Sequence, residues 1–416
     1  MDPLTDITAY LWHRLPLILL FVCGYFVYQL FAAAGVTAVC VNRTLRMSRG
    51  RPALLLLHVI VVSAALSAFI PNAITVLTLL PLLKRLDREF RHKGVDGMTT
   101  VLMCAAVYGA AIGGMGSMIG SPANAVLFAA LDLFQVAGRD RVTFFNWFAW
   151  SLPLVIAFVL AAWFVVAGLG LPRSARGVTL DIRGLAGKRG GGPRQRYGVR
   201  LFWFYMGYWV LEAVLSKNVP AFASASPVVS LGFAAVFLAL LFLRDAPASD
   251  EAAGPLLAPG DLIKSVPRRG LVFVLVLAAL FAAVHWTGLD ERVVALAGQL
   301  LQGQMHPLLL FLLTILAVIF LTEVLSNTAV VAAFFTIAYY AALGHGMDPL
   351  PLMMGVGVAS TCAFMTPVAT PANALAFGEM KGASLRVMIT LGLVLNILGA
   401  LLMTGWLSWV LPRIYS

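Results

Sequence analysis

Charge is what this sequence has least of. Only 11% of its 416 residues are Asp, Glu, Lys or Arg, where soluble domains carry about 25%, so a soluble globule is excluded. Catalytic signatures are missing too. There is no Gly-x-Ser-x-Gly elbow, no His-Glu-x-x-His and no paired aspartate in an apolar run, which argues against an intramembrane enzyme. Cysteine is scarce: Cys23, Cys40, Cys104 and Cys362 lie in apolar segments without metal-ligand spacing, and buried reduced thiols are expected. Gly190-Gly191-Gly192 lacks the Lys-Ser/Thr ending of a phosphate loop and reads as a flexible linker.

What is present is hydrophobic, at 61% of residues with a mean hydropathy of +0.92. Apolar runs long enough to cross a bilayer, which takes roughly 20 residues, recur from end to end. The class is therefore an all-α polytopic membrane protein in a lipid bilayer. The net charge of +11 does not indicate nucleic acid, because the basic residues gather in short loops between apolar runs, the positive-inside pattern. The first run, Leu15 to Val41, is too long for a cleaved signal core and reads as a retained helix.

Four polar breaks interrupt the apolar runs. Ser121-Pro122-Ala123-Asn124-Ala125 is echoed 249 positions later by Thr370-Pro371-Ala372-Asn373-Ala374. Pro71-Asn72-Ala73 precedes the first of these, and Ser326-Asn327-Thr328 the second. A proline inside a helix costs about 3 kcal/mol, and irregular backbone at membrane depth is tolerated only when buried in protein or lining a wet cavity. Two matched pairs of breaks are what a carrier with inverted repeats places at its midplane site. Freed carbonyls and neutral Ser, Thr and Asn oxygens suit a cation such as Na⁺, and half-helix N-termini suit an anion. Among the breaks only Glu323 brings a fixed charge. It reads as a coupling residue or as a hydrogen-bonded orienter of its break.

Charge gives a topology. Residues 53–83 carry basic flanks on both sides, from Arg43 to Arg51 and from Lys84 to Lys93, and are too short for two crossings, so a re-entrant hairpin is expected. Residues 307–343 have almost no basic flank, and that hairpin is expected from the opposite face. The first repeat would span 1–171, with a broken helix at 100–134 and a return span at 146–171. A basic cytoplasmic linker, 172–200, follows, with eight Arg/Lys between Arg173 and Arg200. Two linking spans fill 201–243 and a cytoplasmic loop fills 244–269. The second repeat would span 270–416, with a span at 270–289, a broken helix at 350–377 and a last span at 388–411. This arrangement gives about 8 full spans and two hairpins, with the C-terminus outside the inner (plasma) membrane. His58 and His285 read as packed or interfacial residues, and the aromatic run Phe202 to Trp209 as a belt or packing surface.

The stretch Ala359 to Ala374, with Thr366-Pro367-Val368-Ala369-Thr370-Pro371-Ala372-Asn373, closely resembles the signature of the divalent anion:sodium symporter family, carriers of dicarboxylates, citrate and sulfate. Leu321-Thr322-Glu323-Val324-Leu325-Ser326-Asn327-Thr328 and Gly113 to Asn124 are similar to that family's other motifs. The likeness runs from about residue 53 to residue 411.

The resemblance implies Na⁺-coupled symport of a small anion by an elevator motion, in a homodimer, with no organic cofactor. It implies one Na⁺ site from Ser67, Asn72 and the Gly120 carbonyl, and another from Thr322, Ser326, Asn327 and the Ala369 carbonyl. The implied anion set is Asn72, Ala73, Ser121, Ser326, Asn327, Thr328, Thr370 and Pro371. Two departures stand out. The first tip reads Pro-Asn-Ala where the family has Ser-Asn-Thr, and one span precedes the first hairpin where the family has several. Na⁺/H⁺ antiport, oxyanion export and a non-transporting sensor are the alternatives.

Overall fold

The computed structural model describes residues 3–36, 39, 46–181, 192–247, 254–258, 286–288, 292, 295 and 305–415. The span at 270–289 with His285, most of the loop at 244–269, much of the basic linker and Cys40 lie outside these. In chain order the helices are α1 (Pro3–Ala33), α2 (Pro52–Ser67), α3 (Asn72–His92), α4 (Met98–Gly114), α5 (Pro122–Leu133), α6 (Phe144–Trp163), α7 (Pro193–Asn218), α8 (Pro220–Phe242), α9 (Pro307–Thr322), α10 (Asn327–Gly344), α11 (Pro349–Ala359), α12 (Pro371–Glu379), α13 (Leu385–Trp409) and α14 (Leu411–Tyr415). A π-helical stretch, Phe164–Gly170, continues α6. Two short strands, β1 (Asp245–Ala246) and β2 (Gly254–Pro255), pair antiparallel.

Proline sets many of these starts. Pro52, Pro122, Pro193, Pro220, Pro307, Pro349 and Pro371 each sit in the first turn, where the missing N–H is no loss. Among the described residues four helical stretches are long and apolar enough to cross a membrane: Leu11–Phe31, Phe144–Gly170, Pro220–Phe242 and Leu385–Tyr415.

The chain divides into two compact units. One comprises Met1–Cys40, Thr143–Phe145 and Lys188–Val266. Within it α8 packs on α1 and α7. Tyr205 donates to the Leu20 carbonyl at 3.1 Å, and Tyr208 stacks on Phe233 with ring centres 3.8 Å apart. Tyr205 and Trp209 are buried, while Trp203 is 65% exposed. The aromatic run thus supplies packing from one face and an exposed ring from the other.

The other unit comprises Val41–Val142, Asn146–Gly187 and Pro267–Ser416. It contains two related halves. The helices α2 and α9 are both 16 residues long, and each is followed by a four-residue break before α3 or α10. In both halves the pair packs on the next helix, α2 and α3 on α4, and α9 and α10 on α11. The halves then interlock: α5 packs on α10, and α12 on α3. The α2–α4 contact is close because small residues face each other. A Cβ on Gly109 would lie 2.5 Å from the Ile60 carbonyl oxygen, and one on Gly113 would overlap the Ala64 carbonyl. Helix α3 runs past residue 83 to His92, held by Arg91, Asp87 and Thr99, which bond one another at 2.6–3.0 Å.

Candidate functional site

The breaks are joined to one another by hydrogen bonds that repeat between the halves. Asn124 Nδ2 donates to the Ser117 carbonyl at 2.9 Å, and the Ser117 hydroxyl donates to the Ala68 carbonyl. In the second half Asn373 Nδ2 donates to the Thr366 carbonyl at 2.8 Å, and the Thr366 hydroxyl donates to the Glu323 carbonyl at 2.8 Å. The amide of the second helix start thereby holds the loop before it, and that loop holds the neighbouring break. Each link pairs a donor with a carbonyl that regular helix would otherwise occupy, which lets unwound backbone persist in an apolar interior.

Around the first break the sequence-predicted residues converge. Ser67 Oγ donates to Asn72 Oδ1 at 2.6 Å. The space a Cβ on Gly114 would fill lies 3.1 Å from Asn72 Oδ1 and 3.3 Å from the Gly120 carbonyl oxygen. The Asn72 amide and the Gly120 carbonyl therefore face a cradle kept open by the lack of a side chain at 114. Ser121 caps α5 by accepting from the Ala123 N–H at 3.3 Å. Ala73 follows in the first turn of α3 and offers no hydroxyl.

Around the second break the predicted residues are less closed. Thr322 Oγ1 donates to the Ile319 carbonyl in its own helix at 2.9 Å. Ser326 caps α10 through the Ala329 N–H, and the Oδ1 of Asn327 is buried without a hydrogen-bond partner among the described residues. Of Thr328 the backbone alone belongs to the described set. Thr370 caps α12, accepting from the Asn373 N–H at 3.1 Å and donating to Asn373 Oδ1 at 2.9 Å, with Pro371 beginning the helix beside it. Ala369 is buried just before that cap.

Glu323 ties this region together. Its carboxylate accepts from the Met365 and Thr366 N–H groups at 2.8 and 2.9 Å and from Asn396 Nδ2 at 2.9 Å. It is 3% exposed, and these three partners are donors, so a buried acceptor is satisfied from two further elements.

Sequence reasoning missed the residues of the last helix in each half. Trp147 Nε1 and Ser151 Oγ donate to the Met115 and Gly116 carbonyls at 3.0 and 3.1 Å, as Asn396 does to Glu323. Trp147 and Asn396 are separated by the same 249 positions as Asn124 and Asn373. That offset was the available signal.

The arrangement fits a small cation as cargo. Neutral oxygens line a cradle at the first break, and an orphaned buried oxygen waits at the second. Among the described residues no group of three or more His, Cys, Asp or Glu forms a metal cluster, and the oxygens here are of the uncharged kind.

A family model described as citrate transporter matches residues 2–342 and, in a second match, 206–415. The chain belongs to this family of transporters. Among relatives of this chain is the sodium-dependent dicarboxylate transporter SdcS of Staphylococcus saprophyticus, 26% identical over 392 residues, covering 91% of this chain and 72% of that protein. Another is the human Na(+)/dicarboxylate cotransporter 3, 28% identical over 361 residues, which are 78% of this chain and 57% of that protein. These names agree with the resemblance carried by the motifs. The crystal structure of the YdaH transporter of Alcanivorax borkumensis is similar in fold, with a TM-score of 0.53 at 16% identity, over 99% of this chain and 90% of that one. The chain is a membrane transporter and not an enzyme.

Proposed function

We propose that this transporter carries a small di- or tricarboxylate, or another divalent anion such as sulfate, into the cell by symport with Na⁺. The observation that supports this most is the buried, unpartnered Oδ1 of Asn327 at the start of α10, which packs on α5 of the other half. An orphaned carbonyl-type oxygen in an apolar interior costs about 1–3 kcal/mol, and a cation removes that cost. The N–H ends of α5, α10 and α12 and the hydroxyls of Ser326 and Thr370 would meet the anion's oxygens.

The energetics require coupling. Bringing a dianion in against 100 mV, inside negative, costs about 4.6 kcal/mol at about 2.3 per charge. Two co-bound Na⁺ cancel that charge, and a third makes entry favourable. Cation and anion share ligands at the breaks, so each orders the other's site. The relatives' printed names support Na⁺ and dicarboxylate as the pair. In this reading the two break-bearing pairs are re-entrant hairpins from opposite faces. They move together in an elevator step in a homodimer of the plasma membrane, with the C-terminus outside.

The test is uptake of labelled succinate, citrate and sulfate into proteoliposomes under an inward Na⁺ gradient, a choline control and an imposed proton gradient. Accumulation of one of the anions with Na⁺ alone is expected. Accumulation driven equally by protons without Na⁺ would contradict the assignment.

A further inference from the structure

A cavity lies away from the breaks, at the basic end of α2. It has a volume of about 620 Å³ and is bounded by residues 51–54, by Ala167 and Leu171 at the end of the π-helical stretch, and by residues 176–179. None of its lining residues is acidic, and two, Arg51 and Arg176, are cations. Arg51 is the N-cap of a 16-residue helix whose first N–H groups receive no side-chain cap, so the positive end of α2 faces the same space as the two guanidinium groups. The Arg51 side chain makes no hydrogen bond or ion pair among the described residues, and that of Arg176 makes one long bond, 3.4 Å, to the Gly168 carbonyl.

The walls of the cavity are held in place. Leu180 N–H bonds the Gly50 carbonyl at 3.0 Å, Lys93 Nζ reaches the Thr179 carbonyl at 2.6 Å, and Trp163 Nε1 donates to the Ala53 carbonyl at 2.9 Å. Leu54, Ala167, Leu171 and Val178 give the cavity an apolar side. Beside it Phe164 and Leu169 of the π-helical stretch are 68% and 60% exposed, as side chains meeting lipid are in a long apolar span. A π-helical turn departs from regular α-helical hydrogen bonding and is found frequently at functional sites.

An anionic head between two arginines and a helix N-terminus, with apolar chain against Leu54, Leu171 and the exposed π-helical face, is the ligand this shape describes. We propose that the cavity is a binding site for an anionic phospholipid, its phosphate held by Arg51 and Arg176 and its acyl chains lying along residues 164–171. The proposal is independent of the transported substrate.

The test uses the purified full-length protein with phosphatidylglycerol, phosphatidylcholine or inorganic phosphate, followed by native mass spectrometry and thermal unfolding. Wild type is expected to retain phosphatidylglycerol and to be stabilised by it, with no response to the other two. A basic group near a membrane surface is worth about 1 kcal/mol, or roughly fivefold in affinity. Arg51→Gln and Arg176→Gln should therefore each weaken retention about fivefold and the double variant about 25-fold, with unfolding in phosphatidylcholine unchanged. Arg88→Gln, a basic residue outside the cavity, should retain lipid as wild type does. Equal retention by the double variant, or the same stabilisation by inorganic phosphate, would overturn the proposal.

Discussion

In the first half Ser67 turns its hydroxyl to Asn72 Oδ1 at 2.6 Å. In the second half the equivalent Thr322 donates to Ile319 in its own helix, and Asn327 Oδ1 is left without a partner. The pattern is reversed one element later. Asn373 Oδ1 accepts from Thr370, while Asn124 Oδ1 is the orphan. The two open oxygens belong to the first turns of α5 and α10, which pack on each other. One chain motif, used twice, has thus closed one polar group in each half and left the other available. A cation at the first break must displace a neutral hydrogen bond worth about 1 kcal/mol, whereas at the second it satisfies an orphan. The second break should therefore hold its cation more tightly.

That ordering can be broken by mutation. The largest effect is expected for Asn327→Ala, which should take Na⁺-driven uptake to background while the protein remains folded by size-exclusion profile. Uptake retained at half the wild-type rate would remove Asn327 from the cation site. Next comes Glu323→Gln. It keeps the shape but weakens charge-assisted bonds from the Met365 and Thr366 N–H groups, of a class worth about 1.5–3 kcal/mol each. Uptake should fall at least roughly tenfold and the unfolding temperature should drop. Asn396→Ala, which removes one of the donors, should do less on both readouts.

In the first half Gly114→Ala sets a methyl 3.1 Å from Asn72 Oδ1. The half-saturating Na⁺ concentration should rise about tenfold, equivalent to about 1.4 kcal/mol, with the maximal rate less affected. An unchanged Na⁺ titration would show that the cradle is not used. The smallest effect belongs to the double replacement Pro71→Ser and Ala73→Thr, which supplies the hydroxyls the first tip lacks. It should lower the half-saturating Na⁺ concentration a few-fold, bringing the halves closer together. No change would mean that the tip hydroxyls do not face the cation.

Much of this was legible in the chain because prolines and polar residues are expensive in apolar surroundings. Pro71-Asn72, Ser326-Asn327, Pro122 and Pro371 mark the helix starts at Asn72, Asn327, Pro122 and Pro371. The end of α3 was not legible. Lys84, Arg88 and Arg91 read as loop, yet the helix continues through them because Asp87 and Thr99 pair with Arg91 and Lys84 meets Glu379 at 2.5 Å. Tertiary partners outweighed the hydropathy of that segment. The links from Ser117 to Ala68 and from Thr366 to Glu323 were hidden for a related reason. Serine and threonine are common in apolar spans, and which carbonyl each one meets depends on packing between elements distant in sequence.

The central claim is that Asn327 supplies the tighter cation site and Asn72 the weaker. The most direct measurement is the rise in unfolding temperature of the purified protein as NaCl replaces choline chloride at constant ionic strength, for wild type, Asn72→Ala and Asn327→Ala. The account predicts a Na⁺-specific rise in wild type, the low-Na⁺ part of that rise kept and the high-Na⁺ part lost in Asn72→Ala, and a rise only at high Na⁺ in Asn327→Ala. A wild-type rise in Asn327→Ala would contradict it.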